Sequence, residues 1–455
     1  MRNCWRVLLI CWLVAASPLA IMAQYGLSAT VPAFAQKQLK VLQYTGLDVK
    51  ELWVAQADVQ GSFTFPQFPT KGMYVLESDE WQLELLSDGK PIQFVMNNPD
   101  DMATLQFINS PMNETWTAYL KERNAYRHNS EALKTVLRQY DPSSSFYQTA
   151  KSEYFKVHES YYRITDSLMH LRDDYAARLI RADRELAVDP SLNGQEQRMW
   201  LLDHYLEEVD FNDLDLIPTN VLTTKMLDYL AVTQGLQGIE DSELAFVVGL
   251  ERIFEKAKVN MTMYGFVLEY MLQGFTSLGL SKVTDYLLNY PQLAEGEITA
   301  EEAAALELRI DPYQKVKVGA KAPDIMDVTV NGENYCLYES QAPWTLVAFW
   351  AVDCEYCHDF LTSIRKKLDL EKDFELVTIA LADDEEQVKE ELRGLKLDQQ
   401  GHHFYDAERW AGKAFLDYHV TSTPTVFLLD KDKTIVCKPY DWNELKQFLK
   451  NNKLY

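Results

Sequence analysis

The sequence predicts a chain of three modules: an N-terminal β-sandwich-like domain, a central all-α domain and a C-terminal α/β domain. Three observations carry this reading. Short runs alternating apolar and polar residues, separated by Gly, Pro and Asn turns, fill the chain up to about residue 110. Apolar residues spaced three and four apart dominate the middle of the chain, and strand-like and helix-like stretches alternate towards its end. At 455 residues there is room for about three domains of the usual 100–200 residues. The boundaries fall at 24–112, 113–310 and 311–455, behind a leader over residues 1–23.

The leader opens with Arg2 and Arg6, continues through the apolar run Val7 to Ala16, and ends in small residues before Gln24. This is the pattern of a secretory signal peptide, too short for a membrane span and broken by Ser17 and Pro18. A second cleavage point after Ala35 lies far from the apolar run, and Cys11 follows Ile10 rather than a small residue, which argues against lipid attachment there. Export implies a periplasmic or cell-envelope location, where disulfides persist. Removing the leader takes Cys4 and Cys11 and leaves Cys336, Cys354, Cys357 and Cys437. The formal net charge of −24 opposes nucleic-acid binding and supplies no basic patch for anionic lipid.

In the first module Ser62 to Phe65, Trp81 to Leu85 and Leu105 to Phe107 alternate in the manner of half-buried strands. Gly61, Pro66, Gly72, Asp88-Gly89 and Asn97-Asn98-Pro99 mark the turns between them. This module carries no catalytic constellation and reads as a binding or spacer unit.

Helix begins at Pro111 to Glu114, and one long helix is predicted over about Phe146 to Leu186, with Tyr154, Val157, Tyr161, Ile164, Leu168, Leu171, Tyr175 and Leu179 forming a heptad-like seam. Its length suggests an arm or hairpin. Further helices are predicted over Gln195–Val209, Thr223–Leu230, Ser242–Lys258, Met261–Leu278 and Lys282–Asn289, with Glu301–Ile310 closing the domain and Asp311-Pro312 opening a linker. His204 with Glu207, Glu208, Asp210, Asp213 and Asp215 invites a metal reading, but short acidic runs at helix ends are ordinarily solvated, and no metal site is assigned.

The last module is organised around Trp344 to Ile364. Leu346 to Trp350 is an uncharged apolar run, hence a strand covered on both faces, and Leu361 and Ile364 recur at helical spacing. Cys354 and Cys357 stand at the junction, which puts Cys354 near a helix N-terminus, where the macrodipole and free N–H groups favour a thiolate. A metal half-site and a pair of inert thiols are the competing readings. Structural zinc needs four ligands, and only His358, His402 and His403 are at hand without a second close Cys pair, so the redox reading leads. Further strands are predicted at Phe374–Leu381 and Thr425–Leu429 and from Thr434, with helices at Glu385–Leu395 and Asp441–Lys450. Pro424 suits the first position of a strand or a cis turn. Cys336 and Cys437 fall in predicted strands, as buried free thiols or as a bridge.

Phe349-Trp350 ending a strand before Cys-x-x-Cys, followed later by Val420-x-x-x-Pro424-Thr-x-Phe-Leu-Leu-Asp430, resembles the TlpA/ResA-like envelope branch of the thioredoxin superfamily. Val318 to Asp324 is similar to the start of such domains, where an extra hairpin precedes the core strand, and His204 to Asp213 resembles a segment of envelope proteins that set a β domain and a helical domain before a TlpA/ResA-like one. The resemblance implies a thioredoxin-like fold over 311–455, a cis Pro424 facing the cysteines, and Thr423 offering its backbone to a substrate. It also exposes departures. Ala348 stands where thioredoxins usually carry a buried acid, Asp353 replaces the usual Trp, Glu355 and Tyr356 replace Gly-Pro, and Phe360 stands where relatives often place a glutamate.

The expected activity is thiol–disulfide exchange with protein disulfides, supplied by an envelope electron donor and needing no small-molecule cofactor, because the dithiol carries the electrons. Cys354 would attack and Cys357 resolve the mixed disulfide. Asp353, Glu355, His358 and Asp359 are candidate modulators of the thiol pKa and substitutes for the missing proton acceptor: the helix start and His358 would lower it, whereas Asp353 and Glu355, like charges to a thiolate, would raise it and tilt the couple towards a reductase. A binding or scaffold protein with a degenerate redox site is the alternative, motivated by Ala348, Phe360 and the large non-redox portion.

Overall fold

The computed structural model describes residues 26–79, 81–171, 174–289, 298–370 and 372–454; the expected leader, with Cys4 and Cys11, lies outside them. Contacts divide the chain into two compact units, Met1–Gly238 and Ile239–Tyr455, and the central helices are shared between them.

The first unit begins with strands β1 (Leu27–Thr30), β2 (Gln38–Tyr44), β3 (Val49–Gln56), β4 (Ser62–Phe65), β5 (Gly72–Ser78), β6 (Trp81–Ser87), β7 (Ile92–Met96) and β8 (Leu105–Phe107). They form two four-stranded sheets, ordered β4-β1-β7-β8 and β3-β2-β5-β6, antiparallel except for the β1–β7 pair. Alternating residues point inwards: Leu27, Phe65 and Phe94 from one sheet meet Val41, Tyr74, Leu76 and Leu85 from the other in one core. Gly61 turns into β4 at φ +78°, and a Cβ there would lie 2.1 Å from the Val31 carbonyl oxygen, so no other residue fits.

Helix α1 (Pro111–Gln139) starts with Pro in its first turn, where a missing N–H costs nothing. Asn113, fully buried, accepts from Leu86 N–H at 2.7 Å and donates to Leu86 C=O at 2.9 Å, tying the helix to outer strand β6. Helix α2 (Ser145–Leu171) packs back on α1 as a hairpin, with Tyr126 and Tyr161 stacked at 4.5 Å. The long helix predicted to reach Leu186 is instead two. Asp174 caps α3 (Tyr175–Asp183) by accepting from Ala177 N–H, and Leu171, inside the predicted seam, is 69 % exposed. Helices α4 (Gly194–His204) and α5 (Asn220–Thr233) complete the unit. Its acidic run is occupied by ion pairs: Asp213 and Asp215 face Arg178, Asp215 also meets Lys71, and Glu208 reaches Arg184.

The second unit opens with α6 (Ser242–Ala257), α7 (Met261–Ser277), α8 (Ser281–Asn289) and α9 (Ala300–Lys315). The linker expected at Asp311-Pro312 is helix. Pro312 deprives only the Leu308 carbonyl of its partner, close to the helix end and on a turn where Leu308 is 77 % exposed, so water can replace the lost bond. A hairpin of β9 (Met326–Val328) and β10 (Asn334–Cys336) leads into β11 (Trp344–Ala351), α10 (Glu355–Lys367), β12 (Phe374–Leu381), α11 (Glu385–Leu395), β13 (His402–Tyr405), α12 (Lys413–Asp417), β14 (Thr425–Leu429), β15 (Ile435–Cys437) and α13 (Trp442–Asn451). The five-stranded sheet runs β13-β12-β11-β14-β15, with β11, β12 and β13 parallel and β14 and β15 antiparallel to their neighbours.

Central strand β11 explains its own composition. Leu346, Ala348 and Trp350 enter one core with α10, α11 and α13, while Val347, Phe349 and Ala351 enter a second core on the opposite face with Phe415, Tyr418 and Phe427. A strand buried on both faces tolerates no charge.

Candidate functional site

The site forms where β11 runs out. Beyond Ala351 the chain turns and Cys354 becomes the N-cap of α10, its Sγ accepting the Cys357 N–H at 3.1 Å. Cys354 and Cys357 are bonded to each other, with Cα atoms 5.2 Å apart, inside the range a disulfide requires. The two are unequal. Cys354 is half-buried, whereas Cys357 is fully buried among Trp350, Phe360, Leu361 and Val426.

Strand register brings the second half of the site to the first. Phe349 pairs with Thr425 in antiparallel β11–β14, so residues preceding Thr425 lie opposite those following Phe349. The Thr423–Pro424 peptide is cis, both residues are half-buried, and the Thr423 carbonyl oxygen lies 3.9 Å from Cys354 Sγ.

The flanking ionisable residues separate. Asp353, Glu355 and Asp359 are exposed, as is Tyr356 between the cysteines. His358 is half-buried, its ring edge-on to Trp350 at 6.0 Å and its Nε2 3.8 Å from the Glu391 carboxylate on α11. Glu391 is invisible to sequence reasoning, being one of several glutamates on an exposed helix that only the fold brings beside His358. Ala348 and Phe360, at the positions expected to carry acids, are buried in the core that holds Cys357.

Among the described residues the other two cysteines, Cys336 and Cys437, are free and unpaired with each other. Cys437 is buried, which, with Glu444 adding to the effect, pushes its thiol up to about 12. Cys336, expected to be buried, is only half so, because β10 belongs to the two-stranded hairpin outside the main sheet; its sulfur lies 3.6 Å from the Asp324 carboxylate.

At the opposite end of the sheet a polar cluster surrounds Glu375, the second residue of β12. Its carboxylate accepts from Tyr335, Ser340 and Thr345 hydroxyls at 3.1, 2.6 and 3.2 Å and lies 3.5 Å from His402, while Lys433 donates to Thr345 at 3.1 Å. Burial pushes the Glu375 pKa up, but the donors from His402, Ser340 and Tyr335 outweigh it and hold the carboxyl below its ordinary range.

A family profile described as thioredoxin-like matches residues 344–435, the stretch that contains the dithiol, strands β11 to β14 and the cis peptide. The C-terminal domain is thioredoxin-like. Solved structures similar to the chain include a thioredoxin-like protein from Bacteroides caccae, 18 % identical over 59 % of this chain and 97 % of its own, with a TM-score of 0.37. The thioredoxin domain of a thiol-disulfide oxidoreductase from Bacteroides vulgatus is 19 % identical over 30 % of this chain and 96 % of its own, with a TM-score of 0.26. The C-terminal domain of an uncharacterized protein from Bacteroides fragilis is 24 % identical over 30 % and 99 %, with a TM-score of 0.26. No protein of curated function matches the chain. Among the described residues no helix is long and apolar enough to cross a membrane.

Proposed function

We propose that this chain is a thiol–disulfide oxidoreductase of the bacterial cell envelope, allied to the TlpA/ResA-like branch and working as a reductase of protein disulfides. The observation that carries the reading is the asymmetry of the cysteine pair: Cys354 half-buried at a helix N-terminus against the Thr423 carbonyl, Cys357 one turn in and fully buried. In the reduced protein the Cys354 thiolate attacks one sulfur of a client disulfide and the client's other sulfur leaves as a thiolate. The Cys357 thiolate then attacks Cys354 Sγ, which releases the second client sulfur. The client gains two electrons and the Cys354–Cys357 bond forms; a dithiol donor in the envelope then reduces that bond, becoming a disulfide itself and regenerating the Cys354 and Cys357 thiols. Thr423 and Pro424 line the place where the client backbone lies, and no small-molecule cofactor takes part. The exposed carboxylates Asp353 and Glu355 beside Cys354 oppose a thiolate and favour the reductase direction.

Insulin reduction by the full-length chain, with a redox equilibrium against glutathione, tests this directly. We expect turnover and a potential nearer the roughly −270 mV of a thioredoxin than the roughly −120 mV of a strong oxidant. A second reading, a binding or scaffold protein with a degenerate redox site, draws on Ala348 and Phe360, which leave Cys357 in an apolar surround. Absence of both turnover and any mixed disulfide on Cys354 would decide for it.

A further inference from the structure

Lys438, the residue after Cys437, is half-buried, and among the described residues no carboxylate pairs with it; Nζ lies over the Phe427 ring at 5.2 Å. Burial pushes its pKa down to about 8. Nearby, two polar atoms are buried without a hydrogen-bond partner, His419 Nε2 and Thr276 Oγ1. Burial and then the Lys438 charge lower the basicity of His419, so the two groups sense one another.

These three side chains line one small pocket, of about 50 Å³, together with Ser422, Pro424 and Tyr440. Pro424 on the pocket wall follows directly on Thr423, whose carbonyl oxygen lies 3.9 Å from Cys354 Sγ. Its wall depends on Gly279, at φ +69°, where a Cβ would stand 3.0 Å from that of Tyr440. Thr276, Gly279 and Lys438 also border a larger cavity of about 300 Å³ with apolar walls at Leu288, Val318, Val436 and Phe448.

Buried polar groups are normally satisfied, and a cation without a counter-charge is the most costly exception. A water molecule could accept from these donors but would leave the lysine uncompensated. A single carboxylate has the right charge, two acceptor oxygens for an ammonium, an imidazole N–H and a hydroxyl, and a volume suited to the smaller pocket. A phosphate dianion would bring excess charge towards Asp285 and Glu444, which lie on the wall of the adjoining cavity.

We propose that this pocket is a carboxylate-binding subsite in which Lys438, His419 and Thr276 together receive one carboxylate group beside the Thr423–Pro424 peptide. The group has two possible sources. One is an acidic side chain of a client lying along Pro424, which rests on the exchange activity proposed above. The other is a free monocarboxylic acid whose hydrocarbon part fills the larger cavity, which does not.

The test uses the full-length chain with two probes. Calorimetric titration with sodium butyrate is expected to show saturable binding that weakens at least about tenfold in Lys438→Met, the loss appropriate to one charge-assisted hydrogen bond. Exchange rates with two blocked peptide disulfides, differing only by Glu or Gln beside the cysteine, are expected to favour Glu by about tenfold in the wild type and to converge in Lys438→Met. Either result supports the subsite and identifies its source. If neither peptide reacts, the exchange reading fails while butyrate binding still decides the subsite. Equal behaviour of wild type and Lys438→Met towards butyrate and towards the Glu and Gln peptides overturns it. Thermal melting without carboxylate guards against a merely structural lysine: an equal or higher Tm for Lys438→Met supports the subsite, and a Tm lower by more than about 5 °C overturns it.

Discussion

The two ends of the five-stranded sheet treat ionisable groups in opposite ways. Where β11 and β12 begin, Glu375 keeps its charge because Tyr335, Ser340, Thr345 and His402 surround it with donors. Where β11 ends, Cys357 lies among Trp350, Phe360, Leu361 and Val426, and the two positions that could bring an acid to it hold Ala348 and Phe360. One end is a closed polar network; the other is an apolar floor beneath the Cys354–Cys357 disulfide. A buried carboxylate is stable only when its donors are built with it. The dithiol end has none; at its edge His358 packs edge-on to Trp350, with Nε2 3.8 Å from the Glu391 carboxylate.

Breaking the redox end should have the largest effect. Cys357→Ser is expected to abolish turnover, at least about a thousandfold, and to accumulate a mixed disulfide on Cys354, as read by intact-mass spectrometry. Cys354→Ser should give no adduct, because Cys357 is fully buried. Adduct formation through Cys357 would erase the asymmetry on which the comparison rests.

The next effect exchanges the character of the ends. Ala348→Asp inserts a carboxyl into the apolar floor without donors, and a urea midpoint should reveal a loss of about 3 kcal/mol. Glu375→Gln weakens the network instead, at a cost of about 2 kcal/mol, with disulfide exchange unchanged. If Ala348→Asp proves harmless, the floor is wetter than its packing indicates.

Glu375 also predicts a pH effect. Its folded pKa lies below the ordinary glutamate value of about 4.3, so its contribution is complete above that pH. On acidification the unfolded chain takes up the proton first, and the stabilisation drains away as pH falls through the folded pKa. Melting temperatures from pH 5 to pH 2 should therefore fall more steeply in the wild type than in Glu375→Gln. The smallest effect concerns the free thiols. With the Cys354–Cys357 bond formed, iodoacetamide at pH 8 should modify Cys336 well before Cys437, whose thiol burial holds near 12, and leave activity unaltered once the reagent is removed.

The architecture and the dithiol were legible because their signals are local. Leu346 to Trp350 announces a doubly buried strand by lacking any charge, and the Cys-x-x-Cys spacing fixes one helical turn by itself. What escaped was decided between segments. The 3/4 seam continues through Leu171, Tyr175 and Leu179, so nothing in its period marks the new start that Asp174 makes by capping Ala177. Asp311-Pro312 reads as a break, yet at a helix end a proline sacrifices one exposed bond. Lys438, His419 and Thr276 share no motif; helix α7 and the Gly279 turn bring them to one pocket.

Asn113 has a consequence for the β domain as a whole. Strand β6 is the outermost of its sheet, and unpaired N–H and C=O groups on such a strand are a template for another chain. By giving Leu86 both an acceptor and a donor, Asn113 acts as a one-residue surrogate strand, anchored to the first turn of the helix that follows. Helix α1 is thus a stopper as well as a link. A β domain cut free before Pro111 would carry an unplugged edge and gain a route to end-to-end self-association that the intact chain has closed.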